Sequence, residues 1–261
     1  MDGDGGESGS TAGPAQAPFF YPQRGSSRVN FSSPFFVKLR AVTRRLGLNR
    51  LAASVLFRGD YEDRFGPRLL DEIRASDTVW DVGANVGLYT SQFAQRAGDD
   101  GRVVAFEPVP ACFSALEKVA IERRIIHPVN AALGAEDGYL TMALEPDALA
   151  ATHRVVEETG ERGDGAFAQV PVRSGEGYAA QHPDFFPNVI KIDVEGFEGE
   201  VFQGLRALLD DKRLRCIGIE MHFGLLQQRG ESDTPRKLED ELKEHGFRLE
   251  WTDPSHLLAL R

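Results

Sequence analysis

Four polar side chains stand in two short segments whose neighbours are otherwise largely apolar: Asp193 and Glu195 in Lys191-Ile-Asp-Val-Glu-Gly196, and Glu220 and His222 in Ile219-Glu-Met-His222. Carboxylates and imidazoles accept protons from weakly acidic groups, and a positioned base contributes roughly 10² to 10⁴ in rate. Each residue also has a plainer use. Asp193 and Glu195 precede a helix and suit its cap. Glu220 would pair with Lys191 at a sheet edge, and His222 would be a satisfied core histidine. One His with three acids also resembles a hard-metal site, yet the ligand spacing is too scattered to specify an ion, so no metal is expected.

A second constellation is built for binding. In Val79-Trp-Asp-Val-Gly-Ala-Asn-Val-Gly-Leu-Tyr-Thr90 a strand ending near Asp81 enters a glycine turn and then a helix. Gly83 and Gly87 leave no Cβ in the way of a ligand, and the free amides at the helix start point at whatever sits there. A dinucleotide fingerprint would need glycine at positions 85 and 88, where this chain has Asn85 and Leu88, so a nicotinamide-dependent oxidoreductase is disfavoured. Asn85 suits a left-handed backbone better than most residues. Gly101-Arg-Val-Val-Ala-Phe-Glu-Pro108 reads as a second buried strand ending in Glu107. In a doubly wound sheet that carboxylate lies beside the first turn and can accept hydrogen bonds from both hydroxyls of a ribose; a turn or capping role is the plain alternative. Replacing it is expected to weaken binding with little effect on stability. Asn130, at the end of a third strand, falls on the adenine side of such a site, with loop stabilisation as its alternative.

The elements that must position these residues alternate regularly. Helices are expected over about 67–75, 86–96, 111–123, 197–209 and 234–245, and strands over 78–82, 102–107, 126–132, 189–193 and 216–221. Strands separated by helices imply parallel pairing with right-handed crossovers. Residues 247–251 and 257–260 flank Asp253-Pro254 and read as a terminal hairpin. Residues 134–188 break the rhythm with seven glycines and short apolar alternations at 139–144 and 167–172, read as an insertion of edge strands and loops. The expected fold is therefore α/β, a Rossmann-like doubly wound and mostly parallel sheet with a C-terminal antiparallel hairpin. Ligands in such sheets bind at the carboxyl ends of the strands, where Asp193, Glu195, Glu220 and His222 converge with the Gly83–Gly87 turn.

The ordered set D-V-G-A-N-V-G, F-E-P, N-A-A-L-G, K-I-D-V-E-G-F-E and I-E-M-H resembles the FkbM family of methyltransferases over about residues 60 to 250. That resemblance implies S-adenosylmethionine as cofactor and methyl transfer, usually to a hydroxyl of a sugar, polyketide or other secondary metabolite. It places Asp81, Gly83, Asn85, Gly87, Glu107 and Asn130 at the cofactor and Asp193, Glu195, Glu220 and His222 at the chemistry. Where the family commonly has a Leu-Asp pair before the fourth motif, this chain has Arg173-Ser-Gly-Glu-Gly177. A cofactor-binding or partner-binding module without turnover, and a nucleic-acid methyltransferase, are the alternatives.

Composition narrows these. With 261 residues and 41% hydrophobic content the chain can bury one substantial core. Residues 1–25, rich in Gly, Ser, Ala and Pro, are expected to be a disordered tail. Residues 26–59 form a basic amphipathic segment, expected to dock on the body rather than on an anionic membrane surface. Residues 60–261 are the methyltransferase domain. From Ser8 to Gly59 there are eight Lys or Arg and no acid, and residues 1–7 carry −3, which leaves −15 of the net −10 on residues 60–261. So acidic a body, lacking an N-P-P-Y or D-P-P-Y tetrad, argues against a nucleic-acid partner and leaves a small-molecule or glycan acceptor. Cys112 and Cys216 suggest no disulfide framework, and no uncharged apolar run approaches about eighteen residues, so a soluble cytoplasmic protein is expected.

Overall fold

The computed structural model describes residues 64–144, 154–156 and 166–261. The expectations for the tail and the basic segment fall outside these residues. The chain runs α1 (Phe65–Glu72), β1 (Thr78–Val82), α2 (Leu88–Ala97), β2 (Arg102–Phe106), α3 (Pro110–Glu122) and β3 (Ile126–Val129). It continues through β4 (Ala132–Gly134), β5 (Gly138–Leu144), β6 (Arg154–Val156), β7 (Ala166–Ser174) and α4 (Gly175–Gln181). The last part is β8 (Val189–Ile192), α5 (Glu198–Gln203), β9 (Cys216–Glu220), α6 (Phe223–Gln228), α7 (Thr234–Glu244), β10 (Arg248–Trp251) and β11 (His256–Leu260).

Seven strands form one sheet in the order β10-β11-β9-β8-β1-β2-β3. β1, β2, β3, β8 and β9 are parallel, while β11 runs antiparallel to β9 and to β10. This is the doubly wound fold with its antiparallel hairpin at one edge. The central strands are covered on both faces, which explains why Thr78–Val82 is buried at every position and reads as a continuous run rather than an alternating one. Alternate side chains still separate two cores. Val79, Val103, Val189 and Cys216 pack with Phe65, Leu69 and Phe93 of α1 and α2. Trp80, Val104, Ile190 and Ile217 pack on the opposite face with Val201, Phe202, Leu238 and Leu242 of α5 and α7. Trp80 Nε1 donates to the Phe185 carbonyl at 2.7 Å, so the largest buried ring leaves no donor unpaired.

Two departures shape the site. The third strand ends at Val129, and the chain crosses at Ala132 into a second, four-stranded sheet of order β4-β7-β5-β6. The apolar alternations at 139–144 and 167–172 are its antiparallel pair β5 and β7, so they build a layer of their own instead of extending the main sheet. Val109, Cys112, Met142 and Val170 seal this layer against the start of α3. The helix expected over 197–209 stops after Gln203, and a 3₁₀ turn follows at Arg206–Leu208. Gly204 caps the helix, and a Cβ there would collide with the Gly134 carbonyl, so glycine lets the end of α5 approach the second sheet. Among the described residues no helix is long and apolar enough to cross a membrane.

Candidate active site

The glycine turn is held by the protein itself. Gly83, at φ +78°, sits so close to the next strand's exit that a Cβ would collide with the Asp193 carbonyl. Gly87, at φ +86°, caps α2, and a Cβ there would press within 3.0 Å of Leu116 and 3.4 Å of Val119, so this glycine serves helix packing. Asn85 does adopt the left-handed backbone, at φ +50°. The amides of the turn itself are largely occupied. Gly83 and Ala84 both donate to the Phe106 carbonyl at 3.0 Å, Gly87 donates to Ala84 at 2.9 Å, and Asn85 donates to Glu107 at 2.8 Å. A turn that uses these amides this way presents a carboxylate.

That carboxylate is Glu107, only 5% exposed, with one oxygen accepting from Asn85 and the other from Val109, both at 2.8 Å. Burial pushes its pKa up to about 7, against the lowering effect of the two amides. Asn130 donates through Nδ2 to the carbonyls of Glu107 at 2.9 Å and Pro108 at 3.3 Å, which is the loop-stabilising alternative. Asp81 is likewise internal. Fully buried, it lies opposite Lys191 in the β1–β8 register, with Nζ 3.1 Å away, and it accepts from Thr90 Oγ at 2.6 Å. Lys191 also reaches the Gly83 carbonyl at 3.2 Å and Asp193 at 3.5 Å. Burial works against its charge, but Asp81 and Asp193 outweigh it and raise its pKa. Lys191 therefore pairs with Asp81 and Asp193, and Glu220 takes a different partner.

The four chemistry-bearing side chains do meet. His222 Nε2 lies 3.7 Å from Asp193, 3.6 Å from Glu195 and 3.8 Å from Glu220. Asp193 and Glu195 do not cap the following helix: its N-cap is Phe197, with no side-chain cap bond. β9 ends at Glu220, and His222 instead precedes α6, a short helix that the sequence pattern does not reveal. The residue that orients His222 is Glu198, fully buried in the first turn of α5. Its Oε1 lies 2.7 Å from Nδ1 and accepts from the Gly196 amide at 3.1 Å. Glu198 was not singled out from the sequence, although it ends the K-I-D-V-E-G-F-E motif. Burial lowers the imidazole's pKa, but Glu198, Glu195 and Asp193 outweigh it and bring it to about 9. Burial pushes Asp193 and Glu195 above the usual carboxylate range.

A cavity of about 300 Å³ joins the two constellations. Gly83, Asn85 and Glu107 line it together with Asp193, Glu195, Glu220 and His222, while Val109, Leu133, Leu140, Met142 and Phe197 give it an apolar wall. Asp81, Gly87 and Asn130 do not line it; they brace the residues that do. Asp193, Glu195 and His222 each offer one ligand atom within 4.8 Å of the others, compact enough for a cation. Lys191, 3.5 Å from Asp193, already places a positive charge at that corner and competes with an ion.

Residues 81–249 match the model of the methyltransferase FkbM domain. Among curated proteins, the chain is 31% identical over 158 residues to hexuronic acid methyltransferase AglP of Haloferax volcanii, covering 60% of this chain and 61% of that protein. It is 30% identical over 201 residues to 31-O-demethyl-FK506 methyltransferase FkbM of Streptomyces tacrolimicus, covering 67% and 76%. A third relative, methyltransferase 1 of Beauveria bassiana, is 27% identical over 205 residues, with the same coverage of 67% and 76%.

Proposed function

Because the chain belongs to the FkbM methyltransferase family, we propose that it transfers a methyl group from S-adenosylmethionine to a hydroxyl of a sugar, a polysaccharide precursor or a secondary metabolite. The observation that carries this reading is the single cavity that joins a buried, desolvated Glu107 to the His222 cluster. The residues fit the cofactor. Glu107 offers ribose hydroxyls a carboxylate held by two amides, the apolar wall suits an adenine, and no phosphate cradle is needed. When bound, S-adenosylmethionine supplies an electrophilic methyl group on a sulfonium. The rest falls to the chain.

An alcohol attacks only as its proton is taken. Glu198 holds His222 by Nδ1, which leaves Nε2 directed at the acid cluster and the cavity. In its neutral form His222 then accepts the acceptor's proton at Nε2 as the carbon–oxygen bond forms, and Asp193, Glu195 and Glu220 stabilise the resulting imidazolium. No covalent intermediate is required. The names of two relatives, a hexuronic acid methyltransferase and a demethyl-FK506 methyltransferase, support a sugar or small-molecule acceptor. Calorimetric titration is the first test. Binding of S-adenosylmethionine without binding of NAD is expected, whereas NAD binding alone would overturn the reading.

A further inference from the structure

The antiparallel hairpin at the sheet's edge reaches the acid cluster from behind. In the β9–β11 register His256 lies directly opposite Glu220. Both of its ring nitrogens face carboxylates: Nδ1 is 2.8 Å from Asp253 Oδ2, and Nε2 is 3.4 Å from Glu220 Oε2. A ring with an acid on each nitrogen satisfies both only as the doubly protonated imidazolium. Its orientation is fixed. The Phe65 ring of α1 stacks on it at 4.4 Å, and Asp253, 3% exposed, also accepts from the backbone amides of Ser255 and His256. The other oxygen of Glu220 stands 3.8 Å from His222 Nε2. Neither His256 nor Asp253 lines the cavity.

On the reading that the His222 cluster performs methyl transfer, we infer that the Asp253–His256 pair is a positioning device, which holds Glu220 as an anion facing His222. Every charged or titratable group that faces Glu220 enters the argument. His256 comes from β11, His222 from the residues after β9, Lys191 from β8, Tyr89 from α2, and Asp193 and Glu195 from the exit of β8. Lys191 is engaged by Asp81, and His222 Nε2 is shared among Asp193, Glu195 and Glu220 at 3.6 to 3.8 Å, so His256, whose Nε2 faces Glu220 at 3.4 Å, is the nearer cation. Burial pushes Glu220 up, yet its pKa is held below the ordinary value, chiefly by His256. Asp253 and Glu220 in turn hold the His256 pKa at about 9 against its burial.

The test compares the parent with His256→Gln and Asp253→Asn. The asparagine retains an oxygen for the amides of Ser255 and His256, so it keeps the claim testable where the glutamine variant fails to fold. The carboxyl carbon of Glu220 is titrated by NMR in each protein, and methyl transfer by the parent is measured alongside. An opposite charge at this range typically lowers a carboxylate pKa by about 1 to 3. The Glu220 carboxyl should therefore titrate about one pH unit or more higher in both variants, with cofactor affinity unchanged. An unmoved Glu220 titration in folded variants would overturn the inference. A second readout also needs no acceptor: NMR titration of the His256 ring should find it protonated to about pH 9 in the parent and to a lower pH in Asp253→Asn. Titration at the ordinary histidine value, indifferent to Asp253, would refute the positioning role. Absence of any methyl transfer by the parent would refute the proposed function instead.

Discussion

Glu107 carries two tasks, and its replacement separates them. In Glu107→Ala the amides of Asn85 and Val109 lose their acceptors in a buried turn. Each orphaned amide costs about 1–3 kcal/mol, hence about 2–6 kcal/mol together. This reverses the expectation that stability would change little. There is a pH-dependent offset. A carboxyl raised from 4.5 to about 7 binds more protons in the native state, so its contribution to stability falls as pH rises between those values, by up to about 3 kcal/mol. The variant is therefore more destabilised at pH 5 than at pH 8 when both proteins are unfolded in urea. Cofactor binding should weaken by about 1–3 kcal/mol, or 5- to 150-fold, from the lost ribose acceptor. Parent affinity should also tighten as pH rises to about 7, because ribose hydroxyls favour the ionised form, and Glu107→Gln should lose that dependence. Calorimetry at several pH values measures both. A folded alanine variant that binds S-adenosylmethionine as tightly as the parent would refute the reasoning and leave Glu107 a turn residue.

His222→Ala or Asp193→Ala should lower kcat by roughly a hundredfold or more while cofactor still binds. Lost binding in Asp193→Ala would instead assign that carboxylate to the amino group of the cofactor's methionine. Since His222 is an imidazolium below about pH 9 and must be neutral to take a proton, kcat/KM should climb with pH toward that value. Glu198→Gln should move this basic-side rise to lower pH, because the carboxylate that raises the imidazole pKa is gone. Lys191→Met leaves Asp81 and Asp193 facing each other without a cation and should cost about 3–5 kcal/mol in denaturant unfolding. An unchanged midpoint would show that the pair is not what holds β1 to β8.

The legible parts of the fold are those set by local pattern. β1 and β2 are apolar runs bounded by turn residues, and the observed strands begin at the expected residues, Thr78 and Arg102. The left-handed backbone of Asn85 follows from its side chain, since few other non-glycine residues tolerate it. What local pattern cannot show is who faces whom across the sheet. Asp81 has a place in a binding motif but lies opposite Lys191, so its carboxylate turns inward. His256 becomes a neighbour of Glu220 only because β11 inserts antiparallel beside β9. The six residues of α6 are too few for a helical period to emerge, and His222 lies just past a strand that ends at Glu220. The alternations at 139–144 and 167–172 fall within the strands observed over Gly138–Leu144 and Ala166–Ser174, but period-two patterning does not say which sheet a strand joins, and the Gly204–Gly134 approach that docks the second sheet leaves no periodic trace.

The most direct test of the central claim is to incubate the protein with S-adenosylmethionine carrying an isotopically labelled methyl group and a panel of hydroxylated sugars and metabolites. The products are then analysed by mass spectrometry before and after alkaline hydrolysis. The account predicts label on an acceptor oxygen as an alkali-stable ether, formed by the parent and strongly reduced in His222→Ala. Label released by alkali as an ester, label on nitrogen or carbon, or equal transfer by the His222→Ala variant would contradict it.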